Sequence, residues 1–486
     1  MVGTTDAVSA LDPAAAYDAP SWAILSTLHQ SLLTFKPSGS EPVPDAAKSC
    51  DFTDETLKVY ECTLRDDLKF SNGNKLTSED VVFSLERVKA YFKKSDGDGP
   101  WPVISTLDKV EEDGPDKVIF HLTTADATWP FKLASTAGAI VDHTVYPKDG
   151  PLKGSGVVGS GPYILKSYDE GKSAVLERNP DYKGRFEVRN DGVEIKYFPT
   201  PEKLHQAWQD KKLDVASRDM TSKMYKDIED NPKDDVRVSS LKGTSLRHLV
   251  FNSAPASRTK DVAVRRAAAA LIDREQLASE VHLRTVEPLY SLIPAGIAGH
   301  TTAFYDKLPK KNPAAARKIL QEAGIQTPYA FTLGYRADAG FEDETKALVK
   351  QLETGGLFKI TEKPIPSDKF FGVVSSGEED AFTVGWLPDY PDPDTYVSPI
   401  VGKTNAYNNG YESPVIEDAI KDSLKVSQRT RALPDYQAID EKAAEDVPVL
   451  PLYQAKDYTL TTDHILGGEN LLDSTGAWRV WELGRE

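Results

Sequence analysis

A chain of 486 residues exceeds the size at which one hydrophobic core is usual, so we expect two or three lobes. Lys and Arg number 58 against 75 Asp and Glu, and the formal net charge of −17 argues against nucleic acid or an anionic membrane surface as a partner. No apolar run approaches the ~20 residues that span a bilayer, and nothing at the N-terminus resembles a signal peptide. An exported mature chain and a cytoplasmic one would look alike at this end.

The two cysteines lie close together in the sequence. Cys50 and Cys62 flank DFTDETLKVYE, whose centre, rich in Asp and Thr, predicts a hairpin turn that places them on neighbouring strands. We therefore expect a disulfide and an oxidising compartment. The alternative is a pair of small buried thiols. The spacing is not CxxC, so it supports neither a metal site nor a redox site.

The first half of the chain mixes helical and strand patterns. A helix is predicted from Trp22 with Ser21 as its N-cap, and LTSEDVVFSLERVKAYF begins with a capping box. GSGPYILKSYDEGKSAVLERNPDY predicts a hairpin with its turn at Asp169–Gly171.

The second half alternates strands and helices, which predicts an α/β fold. VAVRRAAAALIDREQLASEV is predicted to be a helix that stops near Arg284. NPAAARKILQEAG predicts a short helix with Pro313 in its first turn and Gly324 as its C-cap, and PVLPLYQAKDYTLT predicts a strand.

The stretch from Ala381 to Ile400 begins as a buried strand and continues into a proline-rich turn. Three carboxylates lie there beside two large aromatic side chains: Asp389, Asp392 and Asp394 with Trp386 and Tyr390. A carboxylate pairs with an ammonium while aromatic rings exclude water, so the turn suits a cationic ligand group. The alternative is a capped turn whose aspartates accept backbone N–H groups.

Catalytic signatures find little support. Gly154 to Gly159 matches GxGxxG, but a strand follows it where a dinucleotide site needs a helix. The sequence contains no HExxH or GxSxG, and its eight histidines include no pair at metal-ligand spacing. Paired carboxylates are common in so acidic a chain, so counting them does not exclude glycosidase chemistry, although nothing specific supports it. We expect no catalytic residue, no metal and no cofactor.

Several separated stretches together resemble one family. YECTLRDDLKFSNGNKLTSEDVVFSLERV is similar to the pattern LR.gvkFsdG..ltaeDVvfSleR of extracytoplasmic solute-binding proteins of peptide-type ABC importers, family 5. GSGPY with NPDY, VRRAAAALIDREQL, GWLPDYPDPD and DVPVLPLYQ resemble further motifs of that family, in its order. The matches extend from about Leu11 to Gly468 and so cover almost the whole chain.

The resemblance implies an α/β, periplasmic-binding-protein-like fold of type II, cluster C, with three lobes and a closing ligand cleft. Residues 1–36, 156–246 and 446–486 would form a composite N/C-terminal lobe, 37–155 the extra lobe of peptide binders, and 247–445 the opposing ligand-binding lobe. Hinge strands are expected near Leu246–Asn252 and Val447–Tyr453. Ligand would close the lobes because only the closed form contacts it from both sides.

The resemblance also implies ligand-binding residues. Asp389 occupies the position whose aspartate pairs with a peptide's N-terminal ammonium in peptide-binding members, and Asp392 and Asp394 are expected only to shape the turn. Arg336 lies where some dipeptide-binding members place an arginine for the ligand carboxylate. The remaining expected contacts are Trp386 and Tyr390 of the turn, Tyr17 and Asp18 of the loop LDPAAAYDAPS, and Tyr453 of a hinge strand.

The function expected from the resemblance is non-enzymatic. The chain would bind di- to oligopeptides outside the cytoplasm, lipid-anchored in its full-length precursor, and deliver them as a monomer to an ABC permease and its ATPase subunits. The alternatives are the same fold with another small solute, such as an oligosaccharide or a metal chelate, and a secreted hydrolase. A turnover assay would distinguish the hydrolase.

Overall fold

The computed structural model describes residues 1–36, 39–95, 97–218, 220–337 and 339–486. The strands are β1 Val2–Thr4, β2 Leu33–Phe35, β3 Pro42–Pro44, β4 Ala47–Phe52, β5 Val59–Leu64, β6 Leu107–Glu112, β7 Lys117–Leu122, β8 Tyr163–Asp169, β9 Ser173–Arg178, β10 Gly192–Tyr197, β11 Val215–Ser217, β12 Val236–Phe251, β13 Val286–Pro288, β14 Tyr329–Arg336, β15 Phe358–Ile365, β16 Ala381–Trp386, β17 Val449–Thr462, β18 Ile465–Leu466 and β19 Gly484–Arg485.

The helices alternate with these strands over much of the chain. They are α1 Ala19–Leu28, α2 Ser78–Lys94, α3 Trp129–Ala134, α4 Pro201–Gln209, α5 Ser222–Asp230, α6 Val262–Ala269, α7 Arg274–Gln276, α8 Ala303–Lys307, α9 Pro313–Glu322, α10 Glu342–Leu352, α11 Phe370–Ser375, α12 Asp394–Val401, α13 Pro414–Ser423 and α14 Leu433–Asp446. None of these helices has the length and apolar character needed to cross a membrane, within the part of the chain that the structure describes.

The chain forms two compact units. Unit 1 comprises Met1–Leu241, Asp389–Pro391 and Asp457–Glu486, and unit 2 comprises Lys242–Pro388 and Asp392–Lys456. The long strands β12 and β17 carry the chain from one unit into the other. A finer division stays a prediction: a composite lobe of residues 1–36, 156–246 and 446–486, and an extra lobe of residues 37–155.

Among its described residues, unit 1 contains two larger sheets and the two-stranded pairs β2–β3 and β18–β19. In the first, the strand order is β8, β9, β10, β1 and β11, with β1 parallel to both β10 and β11 and the end of β17 antiparallel to β11. The second is antiparallel, in the order β4, β5, β7, β6. Buried and less buried residues alternate along β5 and β7, because one face of this sheet lies in the core beside α2. Cys50 and Cys62 lie directly opposite on β4 and β5 and form a disulfide.

The helix starts in unit 1 follow capping chemistry. The capping box predicted for α2 is confirmed, with Thr77 as N-cap and Asp80 bonding back to the Thr77 N–H. The predicted N-cap of α1 is wrong. That helix begins at Ala19, and the side chain of Asp18 accepts from the backbone N–H of Ser21 at 2.8 Å. Because Pro20 fits the first turn of a helix, the helix starts before Trp22.

The glycine-rich run that resembled a nucleotide-binding loop has a packing role. It leads into β8 rather than into a helix. A Cβ built on Gly159 would lie 1.9 Å from the carbonyl oxygen of Leu28, and one on Gly161 would lie 2.5 Å from the Leu28 carbonyl carbon. Only glycine therefore allows this backbone to pass against the C-terminal end of α1.

Unit 2 is built on a sheet in the order β15, β14, β16, β12, in which β14 is parallel to β15 and β16, whereas β12 and β16 are antiparallel. The continuous helix predicted from Val262 to near Arg284 is wrong. It is broken after Ala269, because Asp273 caps a new helix by accepting from the N–H of Gln276. The predicted start of α9 at Pro313 is confirmed, whereas its C-cap is Ala323 and Gly324 is the next residue, at φ +70°.

Candidate functional site

The proline-rich turn connects β16 to α12, and its three carboxylates make different contacts. Asp392 receives two hydrogen bonds from the guanidinium of Arg429, at 2.8 and 3.1 Å, and both side chains are buried. Asp394 is the first residue of α12 and accepts a hydrogen bond from the hydroxyl of Ser398. These two carboxylates hold the turn and the helix start in place.

Asp389 has different neighbours, among them Tyr17 and Lys132 of unit 1. The hydroxyl of Tyr17 donates a hydrogen bond to Oδ2 of Asp389 at 3.2 Å. Burial raises the pKa of the Asp389 carboxyl to about 7, whereas the hydrogen bond from Tyr17 and the positive charge of Lys132 act in the opposite direction. The carboxyl is therefore close to half ionised at neutral pH, and an added cation would favour its ionised form.

Two residues of helix α3 interact with Asp389 and Tyr390 of this turn. Lys132 of α3 is buried and its Nζ lies 2.7 Å from Oδ2 of Asp126, so its charge is already balanced when it acts on Asp389. Tyr390 is buried, with its ring centroid 6.5 Å from that of Phe131 on the same helix. Sequence reasoning did not find Lys132, since no local pattern links α3 to a turn that lies so far along the chain.

A cavity of about 60 Å³ in unit 1 includes Asp389 in its lining. Helix α1 contributes Trp22 and His29 to the walls, and the segment from Asp473 to Trp481 contributes most of another side. The ring of Tyr17 lies 5.7 Å from that of Trp22, and 41% of Tyr17 is exposed. The neighbouring Asp18 caps α1 and also accepts a hydrogen bond from the hydroxyl of Ser9.

Two of the other predicted site residues have packing contacts in unit 2. The indole N–H of Trp386 donates to the carbonyl oxygen of Thr395 at 2.8 Å, and its ring lies edge-on to Tyr407. The guanidinium of Arg336 lies 5.1 Å from the ring centroid of Phe371, which is 62% exposed. Burial and the charge of Arg247 lower the pKa of Arg336, and an anion placed beside the guanidinium would favour its charged form.

Tyr453 belongs to a buried polar cluster in unit 2 that sequence reasoning did not find. Its hydroxyl donates to Glu344, which also accepts from Nε of Arg247 at 2.8 Å and lies 3.2 Å from Nε2 of His282. Although burial alone would raise it, the pKa of Glu344 is lowered to about 2, chiefly by the charge of Arg247. The signal in the sequence was Arg247 itself, a charged residue in LRHLVF, the otherwise mostly apolar end of β12.

The structure thus places Tyr17 and Asp389 in contact, with Asp18 and Tyr390 on the adjacent elements of unit 1. Trp386, Arg336 and Tyr453 belong to unit 2. The ligand-binding roles of all seven stay predictions.

Comparison with known proteins identifies the family of the chain. The model for bacterial extracellular solute-binding proteins, family 5 Middle, matches residues 41–408. The periplasmic oligopeptide-binding protein OppA of Salmonella typhimurium is 23% identical over 498 residues, which cover 96% of this chain and 89% of OppA. The probable D,D-dipeptide-binding periplasmic protein DdpA of Escherichia coli is 24% identical over 485 residues, covering 96% and 90%.

Solved structures share the fold over the whole chain. DppA from Helicobacter pylori, an ABC transporter-associated periplasmic binding protein in complex with the peptide STSA, has a TM-score of 0.85 at 19% identity and covers 100% of this chain and 97% of its own. The dipeptide-binding protein of Pseudoalteromonas sp. SM9913 in complex with Met-Leu has a TM-score of 0.85 at 18% identity, with 100% coverage of both chains. The predicted α/β fold of periplasmic binding proteins is confirmed. The chain belongs to the bacterial extracellular solute-binding proteins of family 5.

Proposed function

We propose that this protein is the non-enzymatic ligand-binding component of an ABC importer that captures di- to oligopeptides by their N-terminal ammonium and backbone. The observation that carries the proposal is the Asp389 carboxyl, partly buried beside Tyr17 and with its pKa raised to about 7. The names of the relatives support peptides as the ligand class, since they describe oligopeptide- and D,D-dipeptide-binding proteins.

Ammonium capture follows from the surroundings of Asp389. The carboxyl is partly buried, so a ligand ammonium gains more from it than it would from a fully exposed carboxylate. The Tyr17 hydroxyl orients one carboxyl oxygen of Asp389, and the ionised carboxylate would pair with the ligand ammonium. Removing the charge would leave the ammonium desolvated and without a carboxylate, at a cost of roughly 3–5 kcal/mol or at least about a hundredfold in affinity.

The other predicted contacts complete the proposal. Arg336 would receive the carboxylate of a short peptide, for which its guanidinium geometry is suited. Trp386 and Tyr390 would line the pocket, Asp18 would lie at the loop that contacts ligand, and Tyr453 would contribute from β17.

Partners and location follow from the same proposal. The bound peptide would be delivered to a membrane permease and its ATPase subunits, outside the cytoplasm, by a monomeric protein whose precursor is lipid-anchored. The second candidate function is binding of a non-peptide solute by the same fold, and the third is hydrolysis.

The test is titration calorimetry of di- to nonapeptides that contain Ala or Arg, each with a free and with an acetylated N-terminus. Wild type is compared with Asp389→Asn and with Asp181→Asn, an exposed aspartate of unit 1 that serves as a matched control. We expect tight binding that acetylation and Asp389→Asn abolish and Asp181→Asn preserves. Equal binding of acetylated peptides would remove the role of Asp389, and a lack of binding by every peptide would favour another solute. Release of amino acids from the peptides would indicate a hydrolase.

A further inference from the structure

The segment that carries Tyr17 is irregular. Residues 5–18, which the structure describes throughout, connect β1 to α1 without a helix or strand. Residues 11–16 are buried except for Ala15, whereas 41% of Tyr17 is exposed. Ordering an irregular segment costs conformational entropy that contacts with other elements must offset. The position of Tyr17 beside Asp389 therefore depends on what holds this segment.

The turn that precedes the exposed tyrosine is organised by Asp12. Its carbonyl oxygen accepts hydrogen bonds from the backbone N–H groups of Ala15 and Ala16, both at 3.0 Å. Its side-chain Oδ1 accepts from the N–H of Ala14, also at 3.0 Å. The remaining residue of the turn, Pro13, has no N–H to donate. Because every backbone N–H of the turn bonds to Asp12, a movement of this residue would displace the whole turn.

The carboxylate of Asp12 is held by Arg87 of α2. Nη1 and Nη2 of Arg87 donate to Oδ1 and Oδ2 of Asp12 at 2.7 and 2.5 Å, and both side chains are 2% exposed. Nε and Nη2 also donate to the carbonyl oxygens of Pro147 and Gly150, each at 2.7 Å. The backbone N–H of Leu152 donates to Oδ2 of Asp12 at 2.5 Å. A buried bidentate pair allows one geometry, so Asp12 is fixed relative to α2.

A second contact with the turn comes from the chain that follows α2. Gly99 has a φ of +97°, and a Cβ built on it would lie 2.4 Å from the carbonyl oxygen of Ala14. The two backbones therefore approach to a distance that only glycine allows. At the other end of the turn, the indole N–H of Trp22 donates to the carbonyl oxygen of Ala16 at 2.9 Å. The turn is thus held between α1 on one side and α2 with its following chain on the other.

We propose that Arg87 is a positioning residue: by holding Asp12, it keeps the turn in the place from which Tyr17 hydrogen-bonds Asp389. The proposal rests on the proposed function, in which Asp389 captures the ligand ammonium. Arg87 acts through the turn, so its effect reaches Asp389 by way of Tyr17. Loosening the hold on Asp12 should therefore affect Asp389 in the same way as removing the Tyr17 hydroxyl.

The test measures the pKa of Asp389 in the free protein, because the hydrogen bond from Tyr17 lowers that pKa. The carboxyl ¹³C signal of Asp389 is followed by NMR from pH 5 to 9 in protein labelled at aspartate, and it is identified by its loss in Asp389→Asn. Arg87→Lys keeps the positive charge but removes the bidentate geometry. We expect Arg87→Lys to raise the pKa of Asp389 as far as Tyr17→Phe does. In the Tyr17→Phe background it should add nothing further.

A second variant disturbs the turn without touching the ion pair, and each variant has a matched control. Gly99→Ala pushes on the turn and should also raise the pKa of Asp389. Gly73→Ala, at a φ of +89° with no atom within 4 Å of the added Cβ, should leave that pKa unchanged. Arg265 of α6 in unit 2 is a buried arginine that also donates to carbonyl oxygens. Arg265→Lys should lower stability without changing the pKa of Asp389.

Titration calorimetry with Ala-Ala-Ala connects the positioning to binding. Arg87→Lys should weaken binding by about two- to tenfold at pH 7, the effect of one lost hydrogen bond. In the Tyr17→Phe background it should cause no further loss.

An Asp389 pKa that rises in Tyr17→Phe but not in Arg87→Lys or Gly99→Ala would overturn the proposal and leave Arg87 a role in folding alone. Shifts that add to the shift in Tyr17→Phe would also overturn it, because Arg87 would then act by another route. If the pKa shifts appear as expected but wild type binds no peptide, the proposed function fails while the positioning of Tyr17 by Arg87 stands.

Discussion

Peptide affinity should depend steeply on pH, because Asp389 must be ionised to pair with an ammonium. Its pKa in the free protein is about 7. Below that value, binding must first remove a proton, so each pH unit weakens binding about tenfold. At pH 5 about one carboxyl in a hundred is ionised, and affinity should be about 50-fold lower than at pH 7. Above about pH 8 the ligand amine loses its own proton, so affinity should be highest between roughly pH 7 and 8.

Titration calorimetry from pH 5 to 9, in pairs of buffers with different ionisation enthalpies, measures the affinity and the number of protons released on binding. The proton release on binding should be about 0.5 per peptide at pH 7 and approach one at pH 5. Tyr17→Phe removes the hydrogen bond that lowers the pKa of Asp389, so the loss of affinity on acidification should begin at a higher pH. Tyr305→Phe, at a tyrosine that is also 41% exposed, should leave the profile unchanged.

A constant affinity between pH 5 and 8, or proton uptake on binding, would refute the reasoning. The first result would mean that the ligand does not need an ionised Asp389. The second result would mean that a group other than Asp389 changes its protonation when the peptide binds.

Three further predictions concern stability. Glu344→Gln should lower the free energy of unfolding by about 3–5 kcal/mol, because it leaves Arg247 buried without its carboxylate. Since the pKa of Glu344 in the folded state, about 2, lies below its ordinary value of 4.5, this stabilisation is complete above about pH 4.5 and is lost as pH falls through 2. Replacing Cys50 and Cys62 by Ser should cost up to about 3 kcal/mol in guanidinium unfolding, because the separation of 12 residues closes a short loop. Gly159→Ala should cost about 1–3 kcal/mol by the same measurement, since its Cβ would overlap a backbone carbonyl of α1.

Each of these variants has a control. Glu362→Gln changes an exposed glutamate of β15, and Gly150→Ala adds a Cβ with no atom within 4 Å, so both should shift unfolding by less than about 0.5 kcal/mol. Wild type under reducing conditions should match the double Ser variant. A loss below about 0.5 kcal/mol for Glu344→Gln would contradict the inference from the buried ion pair.

Local signals predicted much of the fold. The capping box at Thr77, the hairpin of β8 and β9, and the start of α9 at Pro313 depend on neighbouring residues, and the structure has each of them. The errors came from local competition. At α1, Asp18 takes the cap that Ser21 was expected to provide, and at Asp273 a side-chain cap interrupts a run that has good helix propensity.

The candidate site was predictable only in part. Asp389 could be singled out from the composition of its turn and from the resemblance. Its hydrogen bond from Tyr17, the electrostatic effect of Lys132 on it, and the pairing of Arg247 with Glu344 join residues far apart in the chain. No periodicity or spacing encodes such contacts, because they arise from how whole elements pack.

The disulfide also has a consequence for how the chain reaches its fold. Cys50 faces Cys62 across β4 and β5, and β4 is an edge strand of its sheet. A slip of one residue would turn every side chain of β4 to the opposite face and separate the two sulfurs. Once the disulfide has formed, β4 and β5 can pair in one alignment only, and misaligned pairings no longer compete during folding. This matters most for β4, because an edge strand has a neighbouring strand on one side only.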